Sequence, residues 1–196
     1  MKIKIKTEYV VAAGALIFIG FLVYKRKKNQ VNEDSNIAGA ISEKTVSTGA
    51  ARRPGILIWP SESRNVKSRF GPRAAPTAGA STEHNGIDIA MPQGSEIVAT
   101  AAGTIDRIWL DTTYGGGLSM RLKHSGGLTT GYAHLSSTLW MKEGDEVGQG
   151  YLIAESGGTP GSYGAGTSTG PHLHFTVRED GVAVDPMIFL PEVAIS

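Results

Sequence analysis

The chain has 196 residues, no cysteine and a formal net charge of +1. Without cysteine it has neither disulfide bonds nor thiolate metal ligands. Residues 1–28 hold seven basic residues and one acidic residue, so this segment carries +6 and the remainder of the chain about −5. A net-acidic remainder argues against a nucleic-acid-binding protein.

An apolar segment, residues 9–24, lies between clusters of lysine and arginine. Its sixteen residues would form about 24 Å of helix, and flanking lysines and tyrosines extend that reach toward the ~30 Å bilayer core. A cleaved signal peptide is the alternative, but four basic residues follow directly and the small residues 38–40 come too late for a cleavage site. We therefore predict that residues 1–28 form a retained membrane anchor, although lysine and arginine are too evenly divided to orient it.

The segment that follows, residues 29–55, is polar and contains no aromatic side chain. Such a composition cannot bury a core, so it predicts a flexible tether with an r.m.s. span of roughly 30 Å. The predicted organisation is thus an anchor (1–28), a linker (29–55) and a folded domain (56–196). About 140 residues are enough for one self-sufficient core.

From Ile56 onward, short alternating segments are separated by glycine turns, as in GTIDRIWL, GLSMRLK and PHLHFTVRE. No long amphipathic run predicts a helix, so we expect a mostly β domain with antiparallel strands. Two loops, Pro72–Glu83 and Gly157–Gly170, are expected to line a groove. The second contains six glycines, which predicts low local stability.

Four of the five histidines lie in three short motifs. The motifs are HNGID with His84 and Asp88, GYAHLS with His134, and GPHLHF with His172 and His174. Because alternate residues of a strand share a face, each motif should present its polar residues to one surface. Zinc is held by histidine nitrogens and carboxylate oxygens, with three protein ligands at catalytic sites. The motifs together predict a metal-hydrolase site.

The same alternation predicts that Tyr132 shares the outer face with His134, while Ala133 faces the core. Tyr132 is expected to pack and hydrogen-bond rather than to react. His124, close to a glycine turn and outside the motifs, is expected to be structural. Arg73 is as consistent with a salt bridge as with a substrate contact.

The residues alone leave open which of His172 and His174 would bind the metal. No HExxH motif is present, so no glutamate is placed beside the metal as a general base. Imidazole, with an unperturbed pKa of roughly 6.5, suits proton transfer near neutral pH. Histidines that do not bind the metal are therefore the candidate proton-transfer groups.

The motifs HNGID, YAHL and GPHLHF resemble those of the lysostaphin-type zinc metallopeptidases, which cleave the peptide bridges of bacterial peptidoglycan. The segments SRFGPR, AMPQGSEIVATAAGTI and EGDEVGQG reinforce the resemblance, which runs from about Ile56 to Leu190. It implies a compact antiparallel β-sandwich of the duplicated-hybrid-motif type, with one Zn²⁺ bound in a groove.

Carried over position by position, the resemblance makes His84, Asp88 and His174 the zinc ligands. It makes His134 and His172 a catalytic pair that does not bind the metal. The choice of His174 over His172 as ligand comes from the family pattern.

The implied function is a zinc-dependent endopeptidase that hydrolyses peptide cross-links of bacterial peptidoglycan, for lysis or remodelling of the cell wall. The alternative is a catalytically inactive scaffold of the same fold that binds the wall or activates another hydrolase. Some relatives specialised for glycine-rich bridges carry a tyrosine before the first ligand, whereas Ala74–Glu83 contains none. A preference for pentaglycine is therefore not implied, and the scissile bond stays open.

The expected partners are peptidoglycan peptide stems and, through the N-terminal helix, a membrane; no nucleic acid is expected. The catalytic domain should be monomeric. It is expected to face the cell wall or periplasm, or else to lie in the membrane of a bacteriophage particle.

Overall fold

The computed structural model describes residues 53, 56–75, 81–112 and 115–192. The predicted anchor, and the predicted linker apart from Arg53, lie outside the described residues. In the part of the chain that is described, no helix is long and apolar enough to cross a membrane.

The described residues form twelve strands and two short 3-10 helices. The strands are β1 (Val66–Ser68), β2 (Gly71–Pro72), β3 (Glu83–His84), β4 (Ile87–Ala90), β5 (Glu96–Val98), β6 (Gly103–Asp111), β7 (Gly117–Lys123), β8 (Leu128–Ser137), β9 (Glu146–Val147), β10 (Leu152–Ser156), β11 (His172–Glu179) and β12 (Val182–Val184). The 3-10 helices are Ser125–Gly127 and Pro186–Ile188.

Ten strands hydrogen-bond into one branched antiparallel sheet. Its main path runs β1-β4-β11-β8-β7-β6-β9, β12 pairs with β11, and β10 pairs with both β5 and β8. Strands β2 and β3 form a separate two-stranded sheet. The prediction of a mostly β, antiparallel domain is confirmed. Within the larger sheet, β10 pairs with β8 at one end and with β5 along its length.

The core lies beneath the central strands β4, β8 and β11, and β4 and β11 alternate as their sequences predict. In β11, Leu173, Phe175 and Val177 are each fully buried, whereas His174 and Thr176 between them are partly exposed. Burial of each such apolar side chain contributes roughly 1.5–3 kcal/mol. The apolar side chains therefore fix which face of β11 presents its histidines.

Arg53, which falls within the predicted linker, packs on the folded domain. Its backbone N–H donates to the Ile188 carbonyl at 2.8 Å, and its guanidinium pairs with Glu179 at 2.7 Å. The same guanidinium lies 5.1 Å from the centre of the Phe189 ring. These contacts place Arg53 with the domain.

Candidate metal centre and active site

The candidate metal centre is built where β4 and β11 lie side by side. Asp88 of β4 is directly opposite His174 of β11 in the antiparallel register. His84 comes from β3, which pairs with β2 and ends just before β4. His84 and His174 are 90 positions apart in the sequence. The fold nevertheless brings both of them and Asp88 together at one point.

Three atoms of these residues form a nearly equilateral triangle. His84 Nε2 lies 3.1 Å from His174 Nδ1 and 3.2 Å from Asp88 Oδ1, and His174 Nδ1 lies 2.8 Å from Asp88 Oδ1. A tetrahedral zinc ion with bonds of ~2.0–2.1 Å would separate its ligand atoms by about 3.3 Å. The observed sides are only slightly shorter, so the three atoms fit one face of such a tetrahedron.

The hydrogen bonds of the two imidazoles show what faces this triangle. His84 Nδ1–H donates to the Arg69 carbonyl at 2.7 Å, and His174 Nε2–H donates to Asn85 Oδ1 at 3.1 Å. Each ring therefore directs the lone pair of its other nitrogen at the carboxylate. Burial lowers the pKa of His174, which favours this neutral form. Three electron-pair donors that face one another favour a cation at their centre, and two imidazoles with one carboxylate suit zinc.

Arg73 braces the carboxylate of this group. Its Nη1 donates to Asp88 Oδ2 at 3.0 Å and to Ser68 Oγ at 2.6 Å, which leaves Oδ1 of Asp88 free to face the imidazoles. Burial raises the pKa of Asp88, but the His174 and His84 rings, when protonated, outweigh that effect and hold the pKa well below its usual range. Of the two roles that the sequence allows for Arg73, the structure shows the salt bridge.

A second pair of imidazoles lies beside the triangle. The rings of His134 and His172 are 4.6 Å apart, centre to centre. His134 Nδ1–H donates to the Ala165 carbonyl at 2.8 Å, and His172 Nδ1–H donates to the Gly170 carbonyl at 2.7 Å. Each ring is thereby held through its Nδ1 atom. His172 Nε2 lies 3.8 Å from Asp88 Oδ1. The structure thus brings together all five sequence-predicted site residues.

The prediction that Tyr132 and His134 share a face is wrong. Tyr132 is buried in the core and only 1% exposed, and the register of β7 and β8 shifts just beyond it. His134 has a φ of 59°, a left-handed conformation that breaks the alternation of the strand. As a result Ala133, which lies opposite His174 in the register, and His134 are both partly exposed, whereas Tyr132 is buried.

The unusual backbone of His134 is fixed from both sides. Its N–H donates to the Gly116 carbonyl at 2.9 Å, and its own carbonyl accepts from the N–H of Gly157 at 2.8 Å. A non-glycine residue in the left-handed conformation lowers the stability of the fold by about 1–3 kcal/mol, and it persists only where several surrounding contacts hold it there. These contacts, with the side-chain bond to Ala165, hold the imidazole in one orientation.

His134 is neutral at neutral pH. Burial, reinforced by the charges of His172 and His174, lowers the pKa of His134 to about 4. With Nδ1–H committed to a backbone carbonyl, the lone pair lies on Nε2. His134 can therefore accept a proton at that atom.

The Gly157–Gly170 loop uses its glycines for close packing. Gly164 has a φ of 77°, and a Cβ there would overlap the Leu135 carbonyl oxygen. A Cβ on Gly166 would similarly overlap the Gly115 carbonyl oxygen. These glycines allow the loop to approach the sheet and deliver the Ala165 carbonyl to His134.

We expect Gly164→Ala to lower the free energy of unfolding more than Gly161→Ala. Gly161 is the matched control, since its φ of 78° is nearly the same but no atom lies within 4 Å of the point that a Cβ would occupy. Left-handed strain alone should cost about 1 kcal/mol, and the overlap at Gly164 should add about 1–3 kcal/mol. Urea denaturation of both variants measures the difference, and equal losses would contradict the close-packing role.

His124 is structural, as its sequence context predicts. Its Nδ1–H donates to the Ala102 carbonyl at 2.9 Å, and its Nε2 lies 2.8 Å from Thr130 Oγ1. The same Thr130 hydroxyl hydrogen-bonds the Tyr132 hydroxyl at 3.2 Å, and Tyr132 also contacts Thr100. Both ring nitrogens of His124 are thus engaged, and Tyr132 packs and hydrogen-bonds as expected.

Sequence reasoning missed the groups that set the imidazole tautomers. Most are backbone carbonyls, which every residue type supplies, so no residue signal marks them. Asn85 is the exception: an amide side chain directly after the first histidine of HNGID is a visible hydrogen-bonding candidate.

Comparison with known proteins gives a consistent result. The sequence profile of peptidase family M23 matches residues 82–186, a range that includes all five site residues. Peptidoglycan DD-endopeptidase ShyC of Vibrio cholerae serotype O1 is 31% identical over 161 residues, which cover 80% of this chain and 35% of that protein. The murein hydrolase activator NlpD of Escherichia coli K12 is 35% identical over 136 residues, which cover 68% of this chain and 31% of that protein. This chain therefore spans about a third of the length of these two relatives.

Among solved structures, the catalytic domain of the antimicrobial peptidase lysostaphin from Staphylococcus simulans is similar with a TM-score of 0.53. It is 33% identical, and the similarity covers 63% of this chain and 89% of the lysostaphin domain. The likeness thus extends over nearly the whole of that catalytic domain.

Proposed function

The chain belongs to peptidase family M23, and on that premise we propose that it is a zinc-dependent endopeptidase that hydrolyses peptide cross-links of bacterial peptidoglycan. The observation that carries the proposal is the convergence of three electron-pair donors beside two further imidazoles. A structural zinc site is usually closed by four protein ligands, whereas three leave a position for substrate. Peptidoglycan as substrate is supported by the similarity to ShyC, a peptidoglycan DD-endopeptidase.

We assign the metal to His84, Asp88 and His174, one Zn²⁺ per domain. Their ligand atoms lie within 4.8 Å of one another, and each is oriented by a further hydrogen bond or salt bridge. When bound there, zinc would supply Lewis-acid polarisation of the scissile carbonyl and a water acidic enough to react at neutral pH.

His134 and His172 would carry the proton transfers. Both rings are held through Nδ1–H, so Nε2 of each is the atom available for chemistry. One Nε2 can take a proton from the attacking water and return it to the leaving amine, while the other ring, when protonated, donates to the developing oxyanion. The rings lie close enough together to act on the same peptide bond.

The alternative is a scaffold that activates another hydrolase, and the similarity to NlpD is the observation that favours it. A scaffold of that kind needs neither a metal centre nor proton-transfer groups. Here every candidate ligand and both spare histidines are in place, which supports activity over a purely structural role.

Zymography on purified cell walls tests the two functions and the metal together. We expect clearing by the protein with zinc, loss of clearing with a chelator, and recovery when zinc is restored in excess, because metal-dependent sites lose their Lewis acid to the chelator. Mass analysis of the released fragments identifies the bond that is cut. Walls left intact by the zinc-loaded protein, but cleared when a second hydrolase is added, would favour the scaffold.

We further propose that residues 1–28 anchor the protein in a membrane and that a tether from residue 29 ends by Arg53. The support is the apolar segment between basic flanks and the contacts of Arg53 with the domain. This arrangement would hold the catalytic domain near the wall layer that it cuts, in the periplasm or at the wall.

A protein beginning at Ala51 is expected to be soluble, monomeric and folded, and to cut soluble wall fragments as fast as the full chain. It keeps Arg53 and all strands that carry the site, so only location should change. On whole cells it should lose potency, since an anchor raises the local enzyme concentration. Light scattering, circular dichroism and fragment turnover are the measurements. Precipitation, or failure on soluble fragments, would contradict a passive tether.

A further inference from the structure

An open groove runs from the candidate metal centre along the sheet. It has a volume of about 570 Å³, with His174 and Asn85 among its lining residues at one end and Lys123 and Arg178 at the other. The groove follows strand β8, with β7 on one side and β11 on the other. Its length beyond the metal centre therefore offers space for substrate residues that do not react.

The strand register places the two basic residues at the far end together. Thr129 of β8 lies opposite Arg178 of β11 and also opposite Lys123 of β7. Arg178 is four residues beyond His174 on the same strand and the same face. At ~3.3 Å per residue, the two Cα atoms are about 13 Å apart.

The floor of the groove is made of small residues. Thr129, Gly131 and Ala133 alternate along β8 on the face that lines the groove. A Cβ on Gly131 would crowd the Thr176 hydroxyl, 2.5 Å away, so a larger residue there would narrow the passage. An extended peptide can therefore lie along β8, with about four residues between the metal centre and the basic end.

The charge at this end contrasts with the rest of the domain. Residues 53–192 contain ten lysine and arginine residues against fourteen aspartate and glutamate residues. Asp106 pairs with both Arg121 and Lys123 at 2.5 Å, which neutralises one of these two cations. Within the described ranges, Arg178 has no carboxylate partner, and its Nη1 donates to the Gly181 carbonyl at 2.9 Å. The basic end thus keeps a net positive charge.

We propose that Arg178, assisted by Lys123, forms a subsite for a free carboxylate of the peptide substrate, about 13 Å along the groove from the metal centre. A guanidinium with unused N–H donors matches a carboxylate in charge and geometry. Cross-linked stem peptides carry such carboxylates at positions that do not react. The inference rests on the proposed function, since it names a substrate feature that the same groove recognises.

The test compares two synthetic cross-linked stem-peptide dimers, one with free carboxyl groups and one with the same groups converted to primary amides. For the zinc-loaded full chain we expect kcat/KM to favour the carboxylate dimer by about fivefold to tenfold, the range between an exposed ion pair and a charged hydrogen bond. Arg178→Gln should bring that ratio close to one, mainly through KM. Lys123→Gln, at an exposed position, should lower the ratio by a smaller factor.

Arg64→Gln is the matched control, because Arg64 is exposed and is not among the residues that line the groove. It should keep the full selectivity. Isothermal titration of the uncleaved stem monomers, with free and with amidated carboxyls, measures the same preference without turnover. Binding that loses its preference in Arg178→Gln but not in Arg64→Gln supports the subsite.

Two failures are distinguishable. If the wild-type chain cleaves both dimers equally, or Arg178→Gln keeps the ratio, the subsite is refuted and the endopeptidase function stands. If the chain cleaves neither dimer yet binds the carboxylate monomer through Arg178, the endopeptidase function fails and the binding subsite stands. Equal binding of both monomers by every variant would refute the subsite independently of catalysis.

Discussion

Replacing His174 with alanine should remove both bound zinc and peptide hydrolysis. His174 Nδ1 is one of three atoms in the triangle and lies 2.8 Å from Asp88 Oδ1. Its removal leaves one imidazole and one carboxylate. Two protein ligands bind zinc much more weakly than the three that catalytic zinc sites use. We expect activity at the background of the assay and zinc far below one ion per chain by elemental analysis of the dialysed protein.

The matched control is His172→Ala, which removes an imidazole two positions away on the same strand. It should keep stoichiometric zinc. Circular dichroism of the two variants separates loss of metal from loss of fold. Full zinc occupancy in His174→Ala would overturn the assignment of His174 as a ligand.

His172→Ala should lower turnover by about 10²–10⁴, the usual contribution of a general acid–base group, while zinc content stays unchanged. His172 Nε2 lies 3.8 Å from Asp88 Oδ1, outside the distances of 2.8–3.2 Å that join the triangle atoms. The geometry therefore supports a group that faces the metal site without belonging to the ligand set. Turnover of a soluble cross-linked peptide measures the loss.

The same variant separates the two roles in GPHLHF. A His172→Ala protein that loses zinc would mean that the roles of His172 and His174 are reversed. A variant that keeps both zinc and full turnover would instead leave His134 as the sole proton-transfer group.

The sequence predicts the site best where strands alternate regularly. In β11, fully buried Leu173 and Phe175 bracket His174, so the alternation of GPHLHF already places the histidine face. Asp88 lies between buried Ile87 and Ile89 in the same way. Because both strands keep their period of two, their polar residues could be assigned to one surface without knowledge of the register.

Prediction from the sequence fails where contacts between distant segments override the two-residue alternation of a strand. The position of His134 depends on hydrogen bonds to Gly116 and Gly157, residues that lie outside the GYAHLS motif and distant along the chain. A left-handed residue inside GYAHLS leaves no local signal, because histidine also fits an ordinary strand. The tautomers are equally hidden, since they depend on the carbonyl groups of Arg69, Ala165 and Gly170.

The Gly157–Gly170 loop supplies the carbonyls of both Ala165 and Gly170, and so holds His134 and His172 at once. An opening fluctuation of this one segment would release both rings together, while the three residues of the metal centre keep their own supports in other segments. Inactivation by heat or denaturant would then follow the local unfolding free energy of the loop, which is smaller than that of the whole domain. Such a protein would retain its metal and its sheet at temperatures where proton transfer has already ceased.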